Sequence, residues 1–231
     1  MEKSDRINTY QYKLRESKFD ELNTLGALLI DDHMDAFKKT YGNLLAILLT
    51  KEDTRLVLTF AQFYDPIMHC FTFQDILLAP TLEEFAYILC IHVKYQVPYM
   101  SANGFPEPVV IAQTFYLKRE VVNSNIHTKG NTRGFPSKFL IKNTTLFTDS
   151  GSWDAFYANF SLLIYGLVLF PIIEGFIDKV AINIFLTKNQ VPTLLADVYF
   201  SFHWRNKKND EMISLCVPLL YKWFLTHSQR K

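Results

Sequence analysis

The sequence predicts a mainly α-helical fold: a single multi-helix globular domain around a buried central helix at residues 153–170, with a minor strand or hairpin near residues 70–78. Three observations lead to this fold class. Apolar residues recur with helical spacing along most of the chain, and the composition is 49% hydrophobic. No internal repeat with a period of about 20 to 50 residues is present, which excludes a solenoid. A chain of 231 residues with this composition can bury a sizeable core.

The central helix is predicted from the run WDAFYANFSLLIYGLVLF, in which apolar residues lie at i, i+3, i+4 and i+7. From Leu162 onward the run is apolar on every side, which is typical of a helix buried in protein or in lipid. Its fully apolar part ends near Pro171 and is shorter than the roughly 20 residues that span a bilayer. We therefore expect a core helix, with helices at residues 172–186 and 193–205 packed on it.

Before the central helix, a flexible polar arm is expected at residues 1–19 and the domain at residues 20–231. Residues 22–49 show helical spacing that is interrupted around Asp31 and Asp32. Thr50 and Asp53 have the spacing of a capping box, which predicts a helix that ends before Pro66.

A second capping box is the clearest helix start in the chain. Thr81 is expected as the N-cap and Glu84 as the third helical residue, directly after the strand-like residues 70–78. Further along, a short helix is predicted at residues 109–122, and the Asn-, Ser-, Thr- and Gly-rich tract at residues 123–137 predicts an exposed loop. A last helix is predicted at residues 212–227, where Pro218 implies a kink or a restart.

Charge is nearly balanced over the whole chain but not along it, since residues 52–107 carry seven acids and two bases. Residues 115–142 carry one acid, Glu120, and six bases: Lys118, Arg119, Lys129, Arg133, Lys138 and Lys142. One interpretation of this basic stretch is a solvated loop. The other is an arm that contacts nucleic-acid phosphates, although aromatic residues that would stack on bases are not interleaved with the cations.

The sequence gives little sign of catalysis. It has no G-x-S-x-G, no phosphate-binding loop, and no zinc-type spacing of its histidines. Its three cysteines, Cys70, Cys90 and Cys216, are far apart, which predicts reduced core thiols. We therefore expect no enzymatic activity, no cofactor and no metal.

One set of acids is nevertheless typical of a nuclease-like metal site, because its members sit in apolar surroundings: Asp65, Asp75, Asp178 and Asp197. The structural interpretation assigns Asp65 and Asp75 to turns and Asp178 to a solvated face. For Asp197 it assigns a hydrogen bond within its own helix or a pair with Arg205.

Several blocks, in order, resemble the plant mobile domain, most closely its legume retroelement-associated branch. The blocks are FTFQD (71–75), PTLEE (80–84), GLVLFP (166–171), PTLLADVY (192–199) with His203 and Arg205, and PLLYKW (218–223). The resemblance extends from about Leu44 to His227. The family commonly has a glycine pair and two cysteines before the position of Pro218, whereas this chain has only Cys216 there. Family members also continue further, so the resemblance implies a C-terminally truncated copy.

This resemblance implies a domain of transposable-element origin, sometimes found in nuclear plant proteins. Together with the missing catalytic motifs, the short apolar run and a polar N-terminus without a secretion signal, it predicts a non-enzymatic interaction module, nuclear or cytoplasmic and neither secreted nor bound to membranes. The alternatives are a sequence-independent nucleic-acid-binding domain and a degenerate nuclease or transposase-like domain. Some members carry an "aminotransferase-like" label, but the sequence lacks the α/β pattern that would hold a pyridoxal cofactor. The residues in family motifs have no assigned role: Asp75, Thr81, Glu84, Asp197, His203 and Arg205.

Overall fold

The structure is a computed structural model that describes residues 13–14, 19–73, 76–93, 97–100, 104–208 and 212–228. The side chains of residues 13–14, 204–208, 212–213 and 228 lie outside this description. Within the described residues the fold is mainly α-helical, as predicted. The described part of the chain forms twelve α-helices, one π-helical turn and short strands, which pair into two three-stranded sheets and one two-stranded pair.

Four helices occupy the N-terminal region where the sequence has helical spacing: α1 (Asp20–Gly26), α2 (Asp31–Tyr41), α3 (Leu44–Leu48) and α4 (Thr54–Ala61). The capping box predicted at Thr50 is wrong. The Thr50 hydroxyl donates to the Ala46 carbonyl at 2.7 Å, so it belongs to the end of α3. Asp53 caps α4 instead, because its Oδ1 accepts the backbone N–H groups of Arg55 and Leu56.

A three-stranded antiparallel meander follows, made of β2 (Tyr64–Asp65), β3 (Cys70–Phe73) and β4 (Ile76–Leu78). Its second and third strands are the hairpin predicted near residues 70–78. The chain then enters α5 (Leu82–Leu89) through the predicted capping box. The Thr81 hydroxyl accepts the Glu84 N–H at 3.2 Å, and the Glu84 carboxylate accepts the Thr81 N–H at 3.1 Å.

The helix predicted at residues 109–122 is wrong in its extent. The chain forms two helices there, α6 (Pro108–Thr114) and α7 (Arg119–Asn125). They are separated by a turn in which Tyr116 has φ +55° and the Leu117 N–H bonds to the Ala112 carbonyl. A left-handed residue cannot continue an α-helix, which explains the break.

The exposed loop predicted at residues 123–137 is also wrong. After the end of α7 this tract forms a β-hairpin, β5 (His127–Lys129) and β6 (Thr132–Pro136), that leads into α8 (Ser137–Asp149). A third strand, β7 (Phe176–Asp178), pairs antiparallel with β6 from some 40 residues further along the chain. The β6–β7 pairing therefore joins segments that local composition does not connect, whereas β5 and β6 are joined by the local turn at Gly130 and Asn131.

The central segment begins as α9 (Trp153–Ile164) and ends in a π-helical turn at Tyr165–Leu169. All residues from Ala155 to Gly166 are buried, and α8 packs along α9. The prediction of one uniform helix over residues 153–170 misses the π turn, where the Phe170 N–H bonds to the Tyr165 carbonyl five residues back.

The helix predicted at residues 172–186 starts too early. Residues 173–176 form a turn that leads into β7, and only then does α10 (Lys179–Thr187) begin. The longest helix, α11 (Gln190–Lys208), contains the helix predicted at residues 193–205. Last come β8 (Met212–Ile213) and α12 (Val217–Ser228). Pro218 lies in the first turn of α12, where its missing N–H costs no helical hydrogen bond, so Pro218 marks a restart and not a kink.

Within the predicted N-terminal arm, β1 (Lys13–Leu14) pairs in parallel with β8. Residues 1–12 and 15–18 of the arm lie outside the described part of the chain. Buried apolar residues from Leu22 to Phe224 form one connected hydrophobic cluster. Among the described residues, no helix combines the length and the apolar character that crossing a membrane requires.

Candidate functional site

The basic segment, residues 118–142, consists of α7, the β5–β6 hairpin and the first half of α8. The six Lys and Arg side chains that the sequence analysis singled out in this segment are all exposed. None of the six forms an ion pair with a carboxylate in the described part of the chain. The segment therefore presents positive charge to solvent that no carboxylate of the described residues neutralises.

The hairpin places its two cations on opposite faces. Thr128 is paired with Arg133, and Lys129 is paired with Thr132. Paired residues share a face of a sheet and successive residues alternate between faces. Lys129 and Arg133 therefore point to opposite sides, so a single flat partner cannot contact both in the same way.

The ammonium group of Lys129 contacts other parts of the protein. Its Nζ donates to the backbone carbonyl of Glu174 at 2.8 Å and lies 6.0 Å from the centre of the Phe176 ring. These contacts join the hairpin to the turn before β7, which favours a structural role for this lysine.

Arg133 is held in a different way. Its guanidinium carbon lies 4.7 Å from the centre of the Phe105 ring, a cation–π contact. Phe105 in turn lies against the buried Phe135 of β6. The guanidinium N–H groups have no acceptor among the described protein atoms, although the side chain is fixed in place and exposed.

The remaining four cations lie on the two helices that flank the hairpin. Lys138 and Lys142 are one turn apart on the exposed face of α8, whose opposite face buries Leu140 and Thr144. Lys118 and Arg119 occupy the start of α7.

Thr81 and Glu84, two of the residues in family motifs, belong to a structural junction. Besides its cap bond, Glu84 Oε2 accepts the indole N–H of Trp223 at 2.8 Å, and Glu84 Oε1 lies 3.0 Å from His227 Nε2. Burial raises the pKa of the Glu84 carboxyl, but the bonds from Trp223 and Thr81 and the charge of His227 outweigh burial. The net result is a pKa below the usual 4.5.

Two of the four candidate carboxylates, Asp65 and Asp178, hold backbone N–H groups of their own segments. Asp65 Oδ1 accepts the N–H groups of Ile67 and Met68, so Asp65 caps a turn as expected. Asp178 is only 3% exposed, so its assignment to a solvated face is wrong. It is the N-cap of α10, and its Oδ1 accepts the N–H groups of Val180 and Ala181. Burial, the largest effect, raises its pKa in spite of those bonds.

The structure describes the other candidate and motif residues only in part. Asp75 lies outside the described residues, as does the side chain of Arg205, so the expected Asp197–Arg205 pair stays a prediction. Asp197 is half-buried within α11. The His203 ring stacks on the His69 ring at a centroid distance of 5.1 Å.

Across the described part of the chain, no group of three or more His, Cys, Asp or Glu residues is placed to hold a metal ion. All three cysteines are free thiols. Cys216 fits the predicted buried thiol, and burial raises its pKa to about 12. Cys90 does not, because it is exposed at the left-handed C-cap of α5.

Sequence reasoning missed the partners of these residues, chiefly Phe105 beneath Arg133 and Trp223 beside Glu84. Neither partner has a spacing signal, because each contact joins segments that are distant in sequence. Pro98, Gly104, Pro106 and Pro108 do predict an ordered loop around Phe105, but they do not indicate which side chain it contacts.

No curated protein and no solved structure matches this chain. A family described as "Domain of unknown function (DUF7745)" matches residues 22–231. Because this match spans most of the sequence, including the basic segment and the Glu84 junction, the chain belongs to the DUF7745 family.

Proposed function

We propose that this chain is a non-enzymatic interaction module of transposable-element origin that contacts its partner through the basic segment. The observation that carries the proposal is a set of five exposed cations without a described carboxylate partner: Lys118, Arg119, Arg133, Lys138 and Lys142. Lys129 is left out of this set because its Nζ is already held by the Glu174 carbonyl. Exposed charge that is not neutralised internally favours association with an oppositely charged partner. The proposed origin is supported by the ordered sequence blocks that resemble the plant mobile domain.

The non-enzymatic part of the proposal is supported by what the acidic side chains do. Asp65 and Asp178 hold the backbone N–H groups of their own turns, and Glu84 holds Trp223. A nuclease instead gathers carboxylates around shared metal ions. This observation favours the interaction module over the degenerate nuclease.

We also propose that residues 20–231 act as one domain organised around the segment 153–170. The connected hydrophobic cluster supports this, because it includes buried residues from α1 through α12. A module with one core can present the flanking helices and the hairpin of the basic segment as a fixed surface.

The experiment compares retention of the full chain on an immobilised polyanion such as heparin. The test variant changes Lys138 and Lys142 to Ala. The matched control changes Lys38 and Lys39, two exposed lysines of α2, to Ala, so both variants lose the same charge. We expect the test variant to elute at lower salt than the wild type and the control to elute with the wild type. Equal elution of all three proteins, or no retention of the wild type, would contradict the proposal.

A further inference from the structure

We propose that the partner of the basic segment is a nucleic-acid duplex and that Arg133 is its anchor on a backbone phosphate. This inference rests on the proposed function, since it names the partner of the same surface. The group that points to a phosphate partner is the guanidinium of Arg133. It is exposed, held over Phe105, and without an acceptor for its N–H groups among the described protein atoms.

A guanidinium is a planar fork whose N–H groups match two oxygens of a phosphate. Most arginine side chains lose conformational freedom when they bind. Arg133 has already lost part of it through the contact with Phe105, so less entropy remains to be lost on binding. Lys129 contrasts with it, since one of its three donors is already used on the Glu174 carbonyl.

Three features favour a duplex over other polyanions. First, the exposed large hydrophobic residues include none between Lys118 and Lys142, whereas helices that bind at a lipid surface bury an apolar face. Second, single-stranded binding depends on exposed aromatic platforms. Here Phe105 is covered by Arg133 and Phe135 is buried, so of these rings and the neighbouring Tyr116 only Tyr116 is free to stack, and one ring does not make a platform for successive bases. Third, Lys138 and Lys142 add cations one helical turn apart, which suits repeated phosphates more than a single carboxylate.

The two faces of the hairpin make the inference specific. A duplex that contacts Arg133 lies on the side of the hairpin away from Lys129. Arg133 and Lys129 carry the same charge four residues apart, yet only Arg133 is expected to contribute. If binding depended only on the number of positive charges in the basic segment, replacing either residue would weaken it equally.

The experiment measures the affinity of the full chain for a short random-sequence DNA duplex as a function of salt. The variants are Arg133→Ala, Arg133→Lys and Phe105→Leu, with Lys129→Ala as the matched control, and the thermal melt of each verifies folding. Arg133→Ala should lower the magnitude of the log–log salt slope by about 0.9, the loss of one phosphate contact. Arg133→Lys should keep the slope but bind about tenfold more weakly, the value of one lost charge-assisted hydrogen bond. Phe105→Leu should also keep the slope and weaken binding, whereas Lys129→Ala should match the wild type.

The outcomes separate the two proposals. If the wild type binds no polyanion, the proposed function fails. If it binds the duplex but Arg133→Ala has the wild-type slope, or Lys129→Ala loses as much slope as Arg133→Ala, the inference fails and the interaction module stands. Equal or tighter binding to phosphatidylserine vesicles, to polyglutamate or to single-stranded DNA would overturn the assignment of a duplex.

Discussion

The indole N–H of Trp223 donates to the Glu84 carboxylate at 2.8 Å across 139 residues of sequence. The same carboxylate completes the capping box of α5. One side chain therefore fixes the start of α5 and the position of α12. Trp223 is fully buried, so its N–H loses its protein acceptor if Glu84 is removed.

Changing Glu84 to Ala should therefore lower the free energy of unfolding. We expect a loss of about 1–3 kcal/mol for the buried N–H left without an acceptor, and about 0.5–1 kcal/mol more for the lost bond from the Thr81 N–H, since the Thr81 hydroxyl still accepts the N–H of residue 84. The measurement is urea unfolding. Glu83→Ala is the matched control, because Glu83 is the neighbouring exposed acid of the same helix turn, and it should cost less than about 0.5 kcal/mol. Equal losses in the two variants would show that the junction does not stabilise the fold.

The same carboxyl should contribute to the pH dependence of stability. Its folded pKa lies below its usual 4.5, so the unfolded state binds more protons in that range. The contribution of Glu84 is then fully present above pH 4.5 and is lost as the pH falls through the lower folded pKa. We expect Glu84→Gln to lose stability at neutral pH and to approach the wild type in acid. Unfolding free energies measured from pH 7 down to pH 3 test this, and a constant difference would contradict it.

Asp178 and Asp53 are matched N-caps in different surroundings. Each accepts two backbone N–H groups through Oδ1, but Asp178 is buried and Asp53 is exposed. The pKa of Asp178 is higher in the folded protein than in the unfolded chain. Its contribution to the free energy of unfolding therefore falls as the pH rises through the interval between these two pKa values. Asparagine keeps the cap without the charge.

At neutral pH, Asp178→Asn should therefore be neutral or stabilising. Asp53→Asn should cost a few tenths of a kcal/mol, because Asp53 loses a favourable interaction with the helix dipole and no desolvation cost is relieved. Thermal melts of the two variants test this. A larger loss for Asp178→Asn than for Asp53→Asn would show that the buried charge is needed.

Gly166 allows the central segment and β7 to approach each other. A Cβ at position 166 would lie 2.6 Å from Cγ1 and 2.9 Å from Cγ2 of Ile177, a stiff β-branched side chain that is fully buried. Gly166→Ala should cost about 1–3 kcal/mol through overpacking. Gly104→Ala is the control, since nothing lies within 4 Å of its Cβ position.

A double mutant separates this clash from any effect of alanine on the π turn. Ile177→Ala removes both contacting carbons, so the free energies of the two single variants should be non-additive by more than about 0.5 kcal/mol. Additive losses in a chemical-denaturation cycle would place the cost elsewhere.

The predictions that the structure confirms rest on interactions within a few residues. The Thr81–Glu84 box joins residues three apart, and the meander near residues 70–78 pairs strands joined by a short turn. The mainly α-helical class follows from apolar spacing that each helix carries by itself. Thr50 failed as a cap for a related reason: its hydroxyl can accept a backbone N–H further along the chain or donate to a carbonyl of the preceding turn, and spacing alone does not rank the two.

The sequence by itself determined the helical class, the start of α5 and the exposure of the six cations, because each depends on a residue and its near neighbours. Tertiary structure decided the pairing of the hairpin with β7, the burial of Asp178, and the contacts of Lys129 with Glu174 and of Arg133 with Phe105. The hairpin is completed by β7, whose strand pairing depends on how the whole chain closes. Such pairings are absent from local composition because the free energy that fixes them comes from burying Phe135 and Ile177 against the rest of the core.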